Sequence, residues 1–204
     1  DIAEYHTKVV RNTIVIDLSK DLESLLQECH DTTRNEIRRS INMLNMSVEF
    51  LYFSDPSFIQ CYEMYAIQEK QQGRVPDSLR KFAGNIFCAV KYDDSILSAV
   101  SFIITPDVLK IHSISSLRLS DIDKDIKKNI SFASRRAVYE IMSFGKKMGF
   151  AKLDLSYIDP KNPNKSGIDN FKRGFGGEVI QDYTYSFRNL KARVALKLFM
   201  KINS

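Results

Sequence analysis

The chain has 204 residues, 44% hydrophobic and 27% charged, with only eight glycines and five prolines. This composition excludes a disordered, collagen-like or repeat protein and fits one ordinary domain whose core needs no disulfide or structural metal. The net charge of +5 is uneven, −3 over residues 1–120 and +8 over residues 121–204, and a basic half implies polyanionic ligands.

In chain order, Thr13–Leu18 reads as a strand and Asp21–His30 as a short helix with Leu22, Leu25, Leu26 and Cys29 on one face. Thr33 and Glu36 have capping-box spacing, which predicts a second helix from Arg34 to about Asn45 with Arg34, Arg38 and Arg39 outside its apolar stripe. Ser47–Phe53 is a strand, and Asp55-Pro56 opens a long helix that Gly73 and Pro76 stop. A helical turn at Ser78–Phe82 leads into three apolar runs, Ile86–Tyr92, Ile96–Thr105 and Val108–Ile114. Asp93-Asp94 and Pro106-Asp107 separate them with turn chemistry, so they form an antiparallel meander. Residues 115–130 are polar and read as a loop, followed by a helix over Phe132–Met148 and an alternating strand over Ala151–Tyr157. Helix then strand at this point implies a parallel crossover onto the meander. A loop over Ile158–Ser166, a short helix over Ile168–Arg173, a strand over Glu178–Phe187 and a basic helix from Asn189 complete the chain. The fold class is therefore mixed α/β (α+β): one domain with a central, mostly antiparallel sheet flanked by helices, in an element order that resembles a GNAT-like domain.

The three cysteines, Cys29, Cys61 and Cys88, are widely spaced among apolar residues and odd in number. They read as reduced, buried thiols of a cytoplasmic protein and not as metal ligands, so no metal is expected. The longest apolar stretch, Ile96–Ile104, is too short to span a bilayer and is interrupted by Ser98 and Ser101, and no signal-peptide pattern opens the chain. The C-terminal residues Arg193, Lys197 and Lys201 recur four apart, a basic helix face that reads either as a solvated surface or as a contact for a phosphate-bearing ligand such as CoA, a nucleotide-linked substrate or tRNA.

Two segments carry a resemblance. Met148-Gly-Phe-Ala-Lys-Leu-Asp-Leu-Ser156 followed by Gly167-Ile-Asp-Asn-Phe-Lys-Arg-Gly-Phe-Gly-Gly177, with Thr33-Arg-Asn-Glu-Ile-Arg-Arg-Ser40 upstream, resembles the Fem-like, BioF2-like branch of the GNAT acyltransferase superfamily. The resemblance frames roughly residues 13–187 and implies a splayed pair of central strands that holds a thioester or ester donor for attack by an amine. It implies acetyl-CoA or another acyl-CoA as donor and a small-molecule or peptide amine as acceptor. Two departures stand out. Lys127–Arg136 occupies the place where acetyl-CoA-dependent relatives carry a glycine-rich pyrophosphate loop; as a helix N-terminus it would offer amides to phosphate, with Ser134, Arg135 and Arg136 as the phosphate-binding side chains. Fem-type aminoacyltransferases carry two such domains and often a coiled-coil arm associated with tRNA, whereas this chain has room for one, so a homodimer would have to supply the second.

The resemblance points to Lys172 as the residue that stabilises charge on the reacting carbonyl or binds the acceptor. Asp154, an acid in mid-strand where acids are depleted, is either a base acting through water or half of a structural ion pair. His112 is a second candidate base because imidazole titrates near neutrality. Arg34, Arg38 and Phe171 are candidates for the substrate side, the arginines because cations near a helix start call for an anionic partner. Gly174, Gly176 and Gly177 have a backbone role at a sharp turn, and Tyr139, Tyr157, Tyr183 and Tyr185 are open candidates for a general acid. Three functions fit: an acyl-CoA-dependent N-acyltransferase, a Fem-type transferase moving an aminoacyl group from tRNA to a peptidoglycan-precursor peptide, and a non-catalytic binding module of the same fold.

Overall fold

The computed structural model describes residues 7–117 and 124–186. Strand β1 (Thr7–Asp17) leads to helices α1 (Leu22–Glu28) and α2 (Asp31–Ile41), then β2 (Met46–Leu51) and α3 (Pro56–Gln71). A 3-10 turn at Leu79–Phe82 precedes the meander β3 (Asn85–Tyr92), β4 (Ser95–Ile104) and β5 (Val108–Ser116). Helix α4 (Lys124–Lys147), β6 (Lys152–Ile158), a 3-10 turn at Pro163–Lys165, α5 (Ser166–Arg173) and β7 (Glu178–Ser186) follow. The seven strands form one sheet in the order β2-β3-β4-β5-β6-β1-β7. Every neighbouring pair is antiparallel except β5 and β6, which are parallel and joined through α4 as the crossover predicts.

Strands β3 and β4 carry apolar residues on both faces because both faces of the sheet are covered there. Along β3, Ile86, Cys88 and Val90 enter one core with Ile14, Ile16, Leu25, Ile37, Val138, Ile141 and Met142. The intervening Phe87 and Ala89 enter a second core, beneath α3, with Phe58, Cys61, Tyr65 and Phe82. The second core is largely aromatic, with Phe58 and Phe82 ring centroids 4.9 Å and 5.7 Å from that of Phe87. The three cysteines are free and buried.

Three expectations need correction. Residues 115–130 are not one loop: β5 continues to Ser116 and α4 begins at Lys124, with Ile126, Lys127 and Lys128 exposed, so that the apolar period starts only at the buried Ile130. Strand β1 starts six residues earlier than its apolar run, because Val9 and Val10 are exposed on the ribbon it makes with β7. The Thr33/Glu36 spacing is not a capping box: α2 starts at Asp31 with no side-chain cap. Both side chains instead turn to α4, where Arg135 Nε donates to Thr33 Oγ1 at 3.3 Å and Arg135 Nη1 meets Glu36 at 2.8 Å. The basic helix expected from Asn189 lies outside the described residues.

Candidate functional site

The parallel ladder between β5 and β6 is short. Val108, Leu109 and Lys110 pair with Lys152, Leu153 and Asp154, and beyond that point the strands part. Two local features open them. Ser156 takes a left-handed conformation, φ 64°, which turns β6 away from a regular strand path, and the β1–β6 register shifts between Thr13 and Val15 beside it. The Ser156 hydroxyl keeps one link across the gap by donating to the carbonyl of Ile111. Farther along β5, Gln68 of α3 supplies partners to its main chain: Nε2 donates to the Ile114 carbonyl and Oε1 accepts from the Ser116 N–H, both at 3.0 Å.

The opening is a cleft of about 950 Å³. Its walls are Ile111–Ile114 of β5, Ser156 and Tyr157 of β6, Lys165, Gly167, Ile168, Asp169 and Lys172 on the α5 side, and Tyr65, Gln68, Glu69, Arg74 and Asp77 on the α3 side. Of the residues expected to carry function, Lys172 and His112 meet here, and Tyr157 lines the same cleft.

Lys172 is only 7% exposed. Its Nζ donates to the Tyr157 carbonyl at 2.8 Å and forms no direct ion pair among the described residues. Burial pulls its pKa from 10.5 down to about 8, against the attraction of Asp169 and Asp154. Helix α5 places it there because Phe171 and Phe175, four apart, set their rings edge to face at 5.2 Å and anchor the helix to the core.

His112 lies over Phe82, ring centroids 4.6 Å apart. Its Nδ1 is 2.6 Å from Asn85 Nδ2 and its Nε2 is 3.7 Å from Asp77 Oδ2. Burial lowers its pKa in spite of Asp77, so the ring is neutral at neutral pH. With the Asn85 amide donating to Nδ1, the ring proton sits on Nε2, facing Asp77.

The other candidates lie elsewhere. Asp154, 7% exposed, does not line the cleft. Its carboxylate accepts from the Thr13 hydroxyl and the Ser156 N–H and pairs with Lys110 at 2.9 Å, which ties β1, β5 and β6 together at the point where the strands part. Arg34 binds the Gln27 carbonyl and Asp31, and Arg38 pairs with Glu23 at 3.0 Å; both sit at the α1–α2 contact and not in the cleft. Phe171 packs against the core beneath the Arg135 guanidinium, 5.5 Å from its ring. The segment Lys127–Arg136, expected to offer amides to phosphate, lies within α4, which begins at Lys124. Ser134 bonds Ser98, Arg135 bonds Ser131 and Glu36, and Arg136 bonds Glu140.

The α3 wall and Asp169 escaped sequence reading. Asp169 carried one signal, an acid three residues before Lys172 on the same helix face. Nothing local ties Gln68 or Asp77 to residues near 112 or 156; only the sheet order brings them together. Among the described residues no group of three or more His, Cys, Asp or Glu side chains could hold a metal ion, and no helix is long and apolar enough to cross a membrane.

No family model matches the chain, and no curated protein matches it in sequence. Solved structures do match its fold. FemX superposes with a TM-score of 0.64 at 13% identity, over 92% of this chain and 63% of FemX. The C-terminal domain assigned to a lysylphosphatidylglycerol synthetase from Agrobacterium fabrum gives 0.63 at 13% identity, over 94% of this chain and 64% of that one. An aminoglycoside acetyltransferase from an uncultured soil metagenomic sample, in complex with sisomicin, gives 0.50 at 13% identity, over 71% of this chain and 97% of that one. The chain thus spans less than two-thirds of the length of the first two. What it shares with all three is architecture, and that architecture is a FemX-like, GNAT-type fold.

Proposed function

We propose that the chain is an N-acyltransferase that moves an acyl group from a thioester or ester donor to an amine by direct transfer in the β5–β6 cleft. One observation carries this reading: the desolvated ammonium of Lys172, pKa about 8, standing where the two parallel strands separate. An amine that enters neutral and attacks a carbonyl must shed one proton as the amide forms, and an amine group of pKa near 8 in the cleft is suited to take it. As the acceptor nitrogen bonds to the carbonyl carbon, Nζ of neutral Lys172 takes a proton from that nitrogen. The carbon–sulfur or carbon–oxygen bond then breaks and the proton passes to the departing atom, returning Lys172 to its neutral form. His112, with its proton on Nε2, acts in this scheme as a hydrogen-bond donor and not as the base. Asp154 fixes the strand geometry around them.

The donor of first choice is acetyl-CoA or another acyl-CoA, with a small-molecule or peptide amine as acceptor in a cytoplasmic setting. Aminoacyl-tRNA is the second reading, favoured by the internal bonds of Ser134 to Ser98, Arg135 to Glu36 and Arg136 Nε to Glu140, which turn those groups inward and away from a CoA diphosphate, while Arg136 Nη1 is buried without a partner. A homodimer would then supply the second domain.

The test is a transfer assay with labelled acetyl-CoA, longer acyl-CoAs and aminoacyl-tRNA against a panel of amines, together with thermal shift by each donor. Transfer should rise with pH through an apparent pKa near 8, fall at least about a hundredfold in Lys172→Ala, and keep the same acid limb in His112→Gln. Absence of transfer and of any thermal shift with every donor class would move the protein to a binding role.

A further inference from the structure

Asp169 sits one helical turn before Lys172 on the same face of α5, and both line the cleft. It is 4% exposed, an unusual place for a carboxylate. One oxygen, Oδ2, accepts from the Asp159 N–H at 2.8 Å, which fixes the side chain. The other, Oδ1, is buried with no hydrogen-bond partner. A buried carboxylate oxygen left without a donor is costly and calls for an explanation. Lys172, meanwhile, spends its hydrogen bond on the neutral carbonyl of Tyr157.

Other charged and titratable groups surround Lys172. Asp154 and Tyr157 come from β6, Lys165 from the turn before α5, and His112 with Asp77 stand across the cleft. Asp154 is saturated by Thr13, Ser156 and Lys110. Asp77 pairs with Lys81, Lys165 repels, and Tyr157 bonds Asp159 through its hydroxyl. Asp169 is the acid among them with an open acceptor on the lysine's own helix face.

We propose that Asp169 is the counter-ion of Lys172 in turnover: when Nζ takes the acceptor's proton it leaves the Tyr157 carbonyl and closes on Asp169 Oδ1, and it swings back when it gives the proton up. Asp169 is thereby a positioning residue that sets how readily Lys172 is charged, and it touches neither donor nor acceptor. This rests on the reading of Lys172 as the proton-accepting group.

The test reads the lysine directly and needs no turnover. The protein is labelled with ¹³C and ¹⁵N, and Nζ and Cε of Lys172, assigned with Lys172→Arg, are titrated by NMR in the parent, Asp169→Asn and Asp169→Glu. Loss of the carboxylate should lower the midpoint by about one unit from its value near 8, with Asp169→Glu returning most of the shift. An unchanged or raised midpoint in folded Asp169→Asn overturns the proposal. If that variant does not fold, the parent still decides. The ¹³Cγ resonance of Asp169 should move with the Lys172 midpoint, and a resonance flat between pH 6 and 10 overturns the proposal. In the transfer assay, Asp169→Asn should shift the acid limb of kcat downward by the same amount without raising the donor KM. A normal NMR result with no transfer would overturn the proposed function while leaving the ion pair standing.

Discussion

Lys172 shows how a residue can be costly to the fold because of what it offers the site. Its pKa of about 8 in the folded protein against 10.5 for a free lysine means that the folded state holds the charged form poorly, net of its attraction to Asp169 and Asp154. At pH 7 both folded and unfolded chains carry the proton, and the difference amounts to a cost of about 3 kcal/mol. Between pH 8 and 10.5 the folded chain releases the proton first, the unfolded chain binds more, and stability from this group rises with pH. Lys172→Met removes the charge and keeps most of the volume. Allowing about 1 kcal/mol for the lost bond to Tyr157, the variant should be about 2 kcal/mol more stable than the parent at pH 7 by urea denaturation, with the gap closing as pH rises through that window. A variant less stable at pH 7 than its parent would show that the buried ammonium is well solvated by its neighbours. The residue was visible in sequence through the Phe-Lys-x-x-Phe-Gly-Gly run, yet its burial was not, since a lysine between two core aromatics also fits a surface position.

At the scale of elements, the meander and α5 were legible because their boundaries are chemical. Asp93-Asp94 and Pro106-Asp107 break three apolar runs, and β3, β4 and β5 start and stop within one or two residues of those signals. Helix α4 and strand β1 were legible only where they are buried, because an exposed turn of helix or ribbon carries no period. The splay of β5 and β6 was expected from resemblance alone; its physical device, Ser156 at φ 64°, has no sequence signature. The glycines after α5 were legible in part. Gly174 is helical, φ −57°, and is needed instead for its closeness to Thr33. Gly176 and Gly177 have φ 74° and 81°, and a Cβ at Gly177 would stand 2.7 Å from the Val15 carbonyl oxygen of β1. Backbone strain and collision act together there, so Gly177→Ala should cost about 2–3 kcal/mol in equilibrium denaturation. A loss below about 0.5 kcal/mol would mean that β1 and β7 can shift apart at no cost.

At the scale of the molecule, one sheet carries two cores, and the site lies where the sheet itself divides. The α3 core holds Phe82, and the core on the other face holds Ile141, both fully buried. Strand β3 contributes alternate residues to each, Phe87 to one and Cys88 to the other, so neither core can melt while the strand stays in place. The pairing of β1 with β6 and β7, strands more than 130 residues away along the chain, closes the opposite end of the sheet and removes any simple place to split it. The consequence is cooperative unfolding. Phe82→Ala and Ile141→Ala should each cost about 3–4 kcal/mol and lower Tm by roughly 10 °C, and the two losses should add to within about 0.5 kcal/mol because the side chains lie on opposite faces. In both variants the transition followed by far-UV circular dichroism should coincide with that followed by tyrosine fluorescence, the chain having nine tyrosines and no tryptophan. Separate transitions for the two probes in Phe82→Ala would show that the α3 wall unfolds on its own. The cleft, with Gln68 and Asp77 on that wall, would then be built on a hinge and not on a rigid frame.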